Sequence, residues 1–258
     1  MVQLDLRTFV QENPLDTANW PQLAPETLRA AQTTWRGRMV NEHISAQVFA
    51  GLLPQLMRAG ISAQRQAAIA DMIADELRHA RQCAQVLAGL GGEALAALPD
   101  LQTMPDHGDV QPLEAALRNV LSVCCLSETI AVALIQAERC EVDIPEIAEI
   151  LRQILGDESQ HARFGWTLLD ECRDSIDPAM RERLDAYLRL AFAHVEQHEL
   201  RYLSPLSRDD AAGASVGVCD GAQARELFYA TVNEVIVPQL ARHGFAAHQA
   251  WAHRSSAN

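Results

Sequence analysis

From about residue 26 onward, apolar residues recur at alternating steps of four and three, the spacing of a helix face packed inside a bundle. In the first such seam, Trp35, Met39, Ala46, Phe49, Leu53 and Leu56 follow one another between Glu26 and Arg58, with Gly60 as the stop. The second starts from a cap at Ser62 and runs to Leu90 through Ile69, Met72, Cys83 and Val86, ending at Gly91-Gly92. The third, Pro112 to Cys140, carries Leu117, Leu121, Cys124, Ala131 and Ile135. The fourth, from Asp143 and Pro145 to about Ser175, carries Ile147, Leu151, Ile154, Gly165, Leu168 and Cys172. Asp177-Pro178 predicts a fifth helix, to about Tyr202, and a sixth runs from about Ala222 to a stop near Pro238. The pattern predicts an all-α chain: a four-helix bundle over 26–175, with two additional C-terminal helices in 176–258 packing on it within the same domain. Residues 1–25, with Pro14, Pro21 and Pro25, read as an irregular lead-in, and 204–221 as a loop.

Each of the four seams is broken at one level by a glutamate: Glu42, Glu76, Glu128 and Glu158. In the second and fourth a histidine follows at i+3, His79 and His161. On a helix, residues three apart share a face, so each Glu-x-x-His aims a carboxylate and an imidazole at one point. Burying an unpaired carboxylate costs several kcal/mol, and four of them would exceed the stability of about 5 to 15 kcal/mol that holds a domain together. Two divalent cations, at +4 in total, match four carboxylates at −4. The six residues Glu42, Glu76, His79, Glu128, Glu158 and His161 are therefore the expected metal ligands.

The two pairs sit in a longer repeat, Asp75-Glu76-Leu77-Arg78-His79-Ala80-Arg81 and Asp157-Glu158-Ser159-Gln160-His161-Ala162-Arg163. Asp75 and Asp157 fall on the histidine side of their helices. A pseudo-twofold between the halves places Asp157 to orient His79 and Asp75 to orient His161, which would fix the imidazole tautomers. Arg81 and Arg163 are read either as partners of these carboxylates or as surface residues. The connection 91–109 is long enough, fully extended, to run the length of a bundle.

The composition narrows the partners. Thirty-four acidic against 21 basic residues give a formal net charge of −13, a field that repels a phosphate backbone and makes nucleic acid a poor first choice. Six cysteines without a Cys-x-x-Cys pair, in a chain too large to need a disulfide framework, read as reduced thiols of a cytoplasmic protein. No apolar run approaches 18 residues and the N-terminus has no basic-then-apolar stretch, so neither membrane nor secretion is expected.

A Glu from each of two helices with Glu-x-x-His from each of two others resembles the ferritin-like di-iron carboxylate superfamily, over about residues 26 to 175. The resemblance implies a ferritin-like four-helix bundle holding two Fe ions (Fe2+/Fe3+); Mn at one or both sites satisfies the same donors. Storage ferritins usually lack the second histidine, so His161 points away from them. Rubrerythrin-type peroxidases generally add a Cys-x-x-Cys iron domain and a further Glu near the third-helix ligand, where this chain has Cys125 and Ala131. The resemblance is closest to the oxygen-activating members. It implies a non-haem di-iron oxygenase or oxidase that uses O2 on a small organic substrate, by hydroxylation, N-oxygenation or oxidative cleavage. The alternative is a ferroxidase or peroxide scavenger without an organic substrate. An external electron donor, ferredoxin or reductase, is implied because no such domain is encoded, and a homodimer is compatible with the fold. Small residues near the ligands suggest a substrate pocket lined by Ala46, Phe49, Cys124, Ala131, Ile154 and Gly165. Arylamine N-oxygenases carry a further His where this chain has Ile154. His194 and His198, spaced i, i+4, are a candidate extra ligand face or, with Glu196 and Glu199 beside them, a solvated one; His43 points away from the seam.

Overall fold

The computed structural model describes residues 2–203 and 211–254. Its frame is α2 (Pro25–Arg58), α3 (Ala63–Gly89), the pair α4 (Pro112–Val120) and α5 (Glu128–Glu141), and α6 (Pro145–Glu171). The Ser62 Oγ accepts the Arg65 N–H at the start of α3, and Pro25, Pro112 and Pro145 occupy the first turns of their helices, where no N–H is required. Helices α4 and α5 are one rod joined by a π-helical segment, Leu121–Ser127, placed immediately before Glu128. Pro112–Glu141 reaches a mean hydropathy of 1.9 over 18 residues, enough by length and composition to cross a membrane. Here Leu117, Leu121, Leu126 and Ile130 are instead fully buried in the protein, and Glu114 and Glu128 are buried with them.

The apolar core is split in two. One cluster takes the C-terminal half of α2 (Phe49, Leu52, Leu56), the start of α3 (Ile69, Met72), the π segment and the end of α6 (Phe164, Leu168). The other takes the N-terminal half of α2 (Ala31, Trp35, Met39), the end of α3 (Cys83, Val86, Leu87) and the start of α6 (Ile147, Leu151, Ile154). The four glutamates stand at the level between them. This is the seam pattern of the sequence made physical: each helix is apolar on both sides of its glutamate at that level, and the further buried carboxylate of the α4 and α5 rod, Glu114, is paired with Arg118 and Arg183.

Three differences from the sequence-based expectation have simple causes. The lead-in is not wholly irregular: β1 (Gln3–Asp5) pairs antiparallel with β2 (Leu95–Ala97), Leu4 opposite Ala96, and α1 (Arg7–Glu12) follows it. Three-residue strands are too short to show a period, and their pairing depends on the crossover. Beyond a 3-10 turn, Arg173–Ser175, and α7 (Pro178–Tyr202), capped by Asp177, the described residues hold four further helices rather than one: α8 (Ala211–Ala214), α9 (Gly221–Thr231), α10 (Val237–Arg242) and α11 (Ala247–Ala252). Residues 204–210 of the expected 204–221 loop lie outside the described residues, and 211–214 are α8. The helix expected to stop at Pro238 passes it. A π segment, Val232–Ile236, widens the turn ahead of the proline, which lacks an N–H and crowds the preceding carbonyls of a regular helix.

The C-terminal helices share the first cluster through Leu184, Phe192, Phe228, Leu240 and Trp251. The short α8 segment reaches the second, where the Trp35 Nε1–H donates to Val216 O at 2.7 Å.

Gly165 of α6 is where the bundle is tightest. A Cβ there would lie 2.6 Å from the Cys124 Cβ and 2.9 Å from the Cys125 Sγ, so only glycine lets α6 meet the π segment. Gly165→Ala is therefore expected to cost about 1–3 kcal/mol of stability through overpacking, seen as a lowered urea midpoint with an unchanged slope. An unchanged midpoint would show that the helices can separate freely at this crossing.

Candidate metal centre

Four helices bring the six expected ligands to one place. Their atoms form two groups, Glu42, Glu76, His79 and Glu158, and Glu76, Glu128, Glu158 and His161; within each group the donor atoms all lie within 4.8 Å of one another. Glu76 and Glu158, the carboxylates of the two Glu-x-x-His pairs, belong to both. The His79 Nδ1 lies 3.3 Å from Glu158 Oε1, 3.4 Å from Glu42 Oε2 and 4.0 Å from Glu76 Oε2. The His161 Nδ1 lies 3.0 Å from Glu158 Oε2, 3.2 Å from Glu76 Oε1 and 3.9 Å from Glu128 Oε2. Each shared glutamate thus turns one oxygen to each histidine, and the two rings stand 6.2 Å apart.

The outer nitrogens are held as the pseudo-twofold requires. The His79 Nε2 lies 3.0 Å from Asp157 Oδ2, and the His161 Nε2 lies 3.4 Å from Asp75 Oδ2. A residue not singled out from the sequence ties these two pairs together: the Arg78 Nη2 donates to Asp75 Oδ1 at 2.7 Å and to Asp157 Oδ2 at 2.8 Å. Its signal was inside the motif. Arg78 stands three residues after Asp75, one helical turn on, where the second copy has Gln160. Of the arginines weighed instead, Arg81 lies over the Phe9 ring, and Arg163 lines a cleft between α3 and α6.

The electrostatics are those of a site built around positive charge. His79 and His161 are fully buried and Glu76, Glu128 and Glu158 nearly so; Glu42, with a side chain 13% exposed, is the most open. Burial raises the Glu76 carboxyl well above the usual range, and the charges of Glu158 and Glu42 add to it. Glu128 is raised in the same way, by burial and then by Glu158. Burial acts against a charged His79, yet its contacts with Glu158 and Glu42 push its pKa up to about 11. Glu158 is driven down despite burial, because both imidazoles face it. Even so, Glu76 Oε2 and His79 Nδ1 are buried without a hydrogen-bond partner among the described residues. These two orphaned ligand atoms, both on the His79 side, fit a divalent cation there, and the charge of four carboxylates against two imidazoles leaves room for a second on the His161 side.

The expected substrate pocket fares less well. Ala46, Phe49, Cys124 and Ile154 are buried and Ala131 is half-buried, but Phe49 and Cys124 belong to one core cluster while Ile154 and Ala131 pack with the other. Gly165, expected to leave space, is filled by Cys124 and Cys125. Small side chains signalled close helix contact here. Phe49 does reach the site, edge-on to the His161 ring at 5.2 Å. His194 and His198 stack on α7 with centroids 6.1 Å apart and join neither donor group, and nor does His43. Tyr187 and Tyr229 bond to Ser122 and Glu196, and the Tyr202 side chain lies outside the described residues. All six cysteines are free thiols.

No family model matches the chain, and no curated protein matches it. Among solved structures it is similar to one described as "Protein 19 with aldehyde deformylating oxidase activity" from Synechococcus, with a TM-score of 0.63 and 19% identity over 94% of this chain and 100% of that one. At that identity the likeness speaks for the fold. With the helical order described above, it makes the chain an all-α ferritin-like bundle.

Proposed function

We propose that this protein is an oxidoreductase that uses O2 at a dinuclear iron site, or a mixed iron and manganese site, to oxidise a small organic substrate. The observation that carries the reading is the sharing of Glu76 and Glu158 between two four-residue donor groups, which supports a site for two adjacent ions rather than one. Ferrous ions bound there would supply the electrons and the Lewis acidity that O2 reduction needs.

The chain's own groups do the rest. Glu42, Glu76 and Glu158 with His79 would hold one ion, and Glu76, Glu128 and Glu158 with His161 the other. Asp157 and Asp75 accept the outer N–H of the two histidines, which leaves each Nδ1 facing the ions, and Arg78 fixes both carboxylates at once. The two core clusters exclude water from above and below. The activity named for the similar Synechococcus protein makes an aldehyde the first substrate class to try. An external ferredoxin or reductase would return electrons.

The test is to mix the ferrous-loaded protein with O2 in a stopped-flow, with and without a panel of aldehydes, amines and alkanes of graded length. O2 consumption that is faster with one panel member, together with an oxidised product of that member, is expected. Prompt conversion of all iron to the ferric state, indifferent to every panel member, would replace this reading with a ferroxidase. No O2 consumption at all would sink both.

A further inference from the structure

Arg78 breaks the twofold relation between the halves of the centre. Its counterpart in the second copy of the motif is Gln160, exposed beside the cleft between α3 and α6, so one half carries a guanidinium that the other lacks. Both bonds of Arg78 leave the same nitrogen, Nη2, yet they end differently. On Asp75 the arginine takes Oδ1 and leaves Oδ2 to the His161 Nε2. On Asp157 it takes Oδ2, the same oxygen that meets the His79 Nε2. Among the described residues, Arg78 and one histidine are the side-chain partners of each aspartate.

These two endings have opposite consequences. A carboxylate held through one oxygen is fixed in direction while its other oxygen stays free to accept, so Arg78 steadies Asp75 for His161. An oxygen that accepts from a guanidinium and an imidazole together has its negative charge divided between them, so Arg78 competes with His79 for Asp157. A carboxylate behind a ligating imidazole orients the ring and raises its basicity, an effect of about 10- to 100-fold in metal affinity. One histidine therefore gains from the arginine and the other loses.

We propose that Arg78 is a positioning residue that biases the pair of metal positions, strengthening the ion beside His161 relative to the ion beside His79. The bias rests on the two-ion reading of the cluster, and not on which metal or which substrate the centre takes.

Cobaltous ion added to the full chain reads the two positions separately. Glu42→Ala keeps the donors beside His161 and Glu128→Ala those beside His79, so the dissociation constant of each variant reports one position. Adding Arg78→Gln to both gives the first copy of the motif the residue that the second copy carries. It also removes a positive charge that weakens both ions, and the part common to the two cancels in the ratio of their constants. The affinity beside His79 is expected to rise about ten-fold relative to that beside His161. The Arg78 side chain is 44% exposed, so its replacement leaves the core intact. A second readout separates positioning from general loosening: the imidazole Nε2–H of each cobalt-bound histidine, seen as a hyperfine-shifted proton resonance. With Arg78→Gln, exchange of that proton with solvent should quicken at His161 and slow at His79, whereas a loosened bundle would quicken both. If neither single-position variant binds one cobalt, the two-ion reading falls and the proposal falls with it. One cobalt in each, with an unchanged or reversed ratio of constants or with both protons exchanging faster, would overturn the proposal and leave the two-ion reading standing.

Discussion

Replacing Glu158 by alanine is expected to leave the protein unable to retain either metal ion, whereas Glu42→Ala and Glu128→Ala each retain one. The difference follows from geometry. Glu158 turns one oxygen to His79 and the other to His161, and its carboxylate belongs to both donor groups; Glu42 and Glu128 each serve one. Removing a shared ligand would leave both ions with three protein donors and with Glu76 alone to offset the mutual repulsion of two dications. Removing an end ligand disturbs one ion. Equilibrium dialysis against ferrous or cobaltous ion followed by metal analysis gives the stoichiometry per chain. The expected values are near zero for Glu158→Ala, near one for the two end variants and two for the wild type. Equal stoichiometry in all three variants would refute the division into shared and end ligands.

Loading the metal-free protein is expected to raise its melting temperature by on the order of 10–20 °C. At free metal 100-fold above the dissociation constant, each ion stabilises the folded state by about 2.7 kcal/mol, so two contribute about 5 kcal/mol. A protein of this size gains roughly 2–4 °C per kcal/mol. The physical source is the orphaned pair, Glu76 Oε2 and His79 Nδ1, and the burial that raises Glu76 and Glu128: the ions replace the protons by which the metal-free cluster relieves its charge. Differential scanning calorimetry with and without chelator measures the shift. In Glu158→Ala the shift should vanish, and the metal-free variant itself should melt lower than the metal-free wild type, because the two buried imidazoles lose the carboxylate that both of them face.

How much of this was legible in the sequence depends on how local each signal is. The four long helices were visible because a 3.6-residue period repeats many times within each, and their caps at Ser62 and Asp177 are single residues with one job. The six clustered residues were visible because a carboxylate interrupts all four apolar seams at one level, and because the motif is written twice. What was not legible depends on partners far away in the chain. The β1 and β2 pairing needs residues 3 and 97 side by side. Gly165 read as empty space until its neighbours across the helix crossing, Cys124 and Cys125, were in place. Arg78 was passed over because nothing in a single helix shows that one guanidinium can reach the Asp of both halves. The apolar α4 and α5 rod shows the converse: its composition passes for a membrane span, and only packing shows Leu117, Leu121, Leu126 and Ile130 buried inside the protein.

The central claim is that two metal ions sit side by side between Glu76 and Glu158. Anomalous diffraction at the iron edge, from crystals grown with ferrous ion, addresses it most directly. The account requires two peaks per chain, about 3.5–4 Å apart as in other two-metal sites, one next to the His79 Nδ1 and one next to the His161 Nδ1. A single peak, or peaks at His194 and His198 instead, would contradict it.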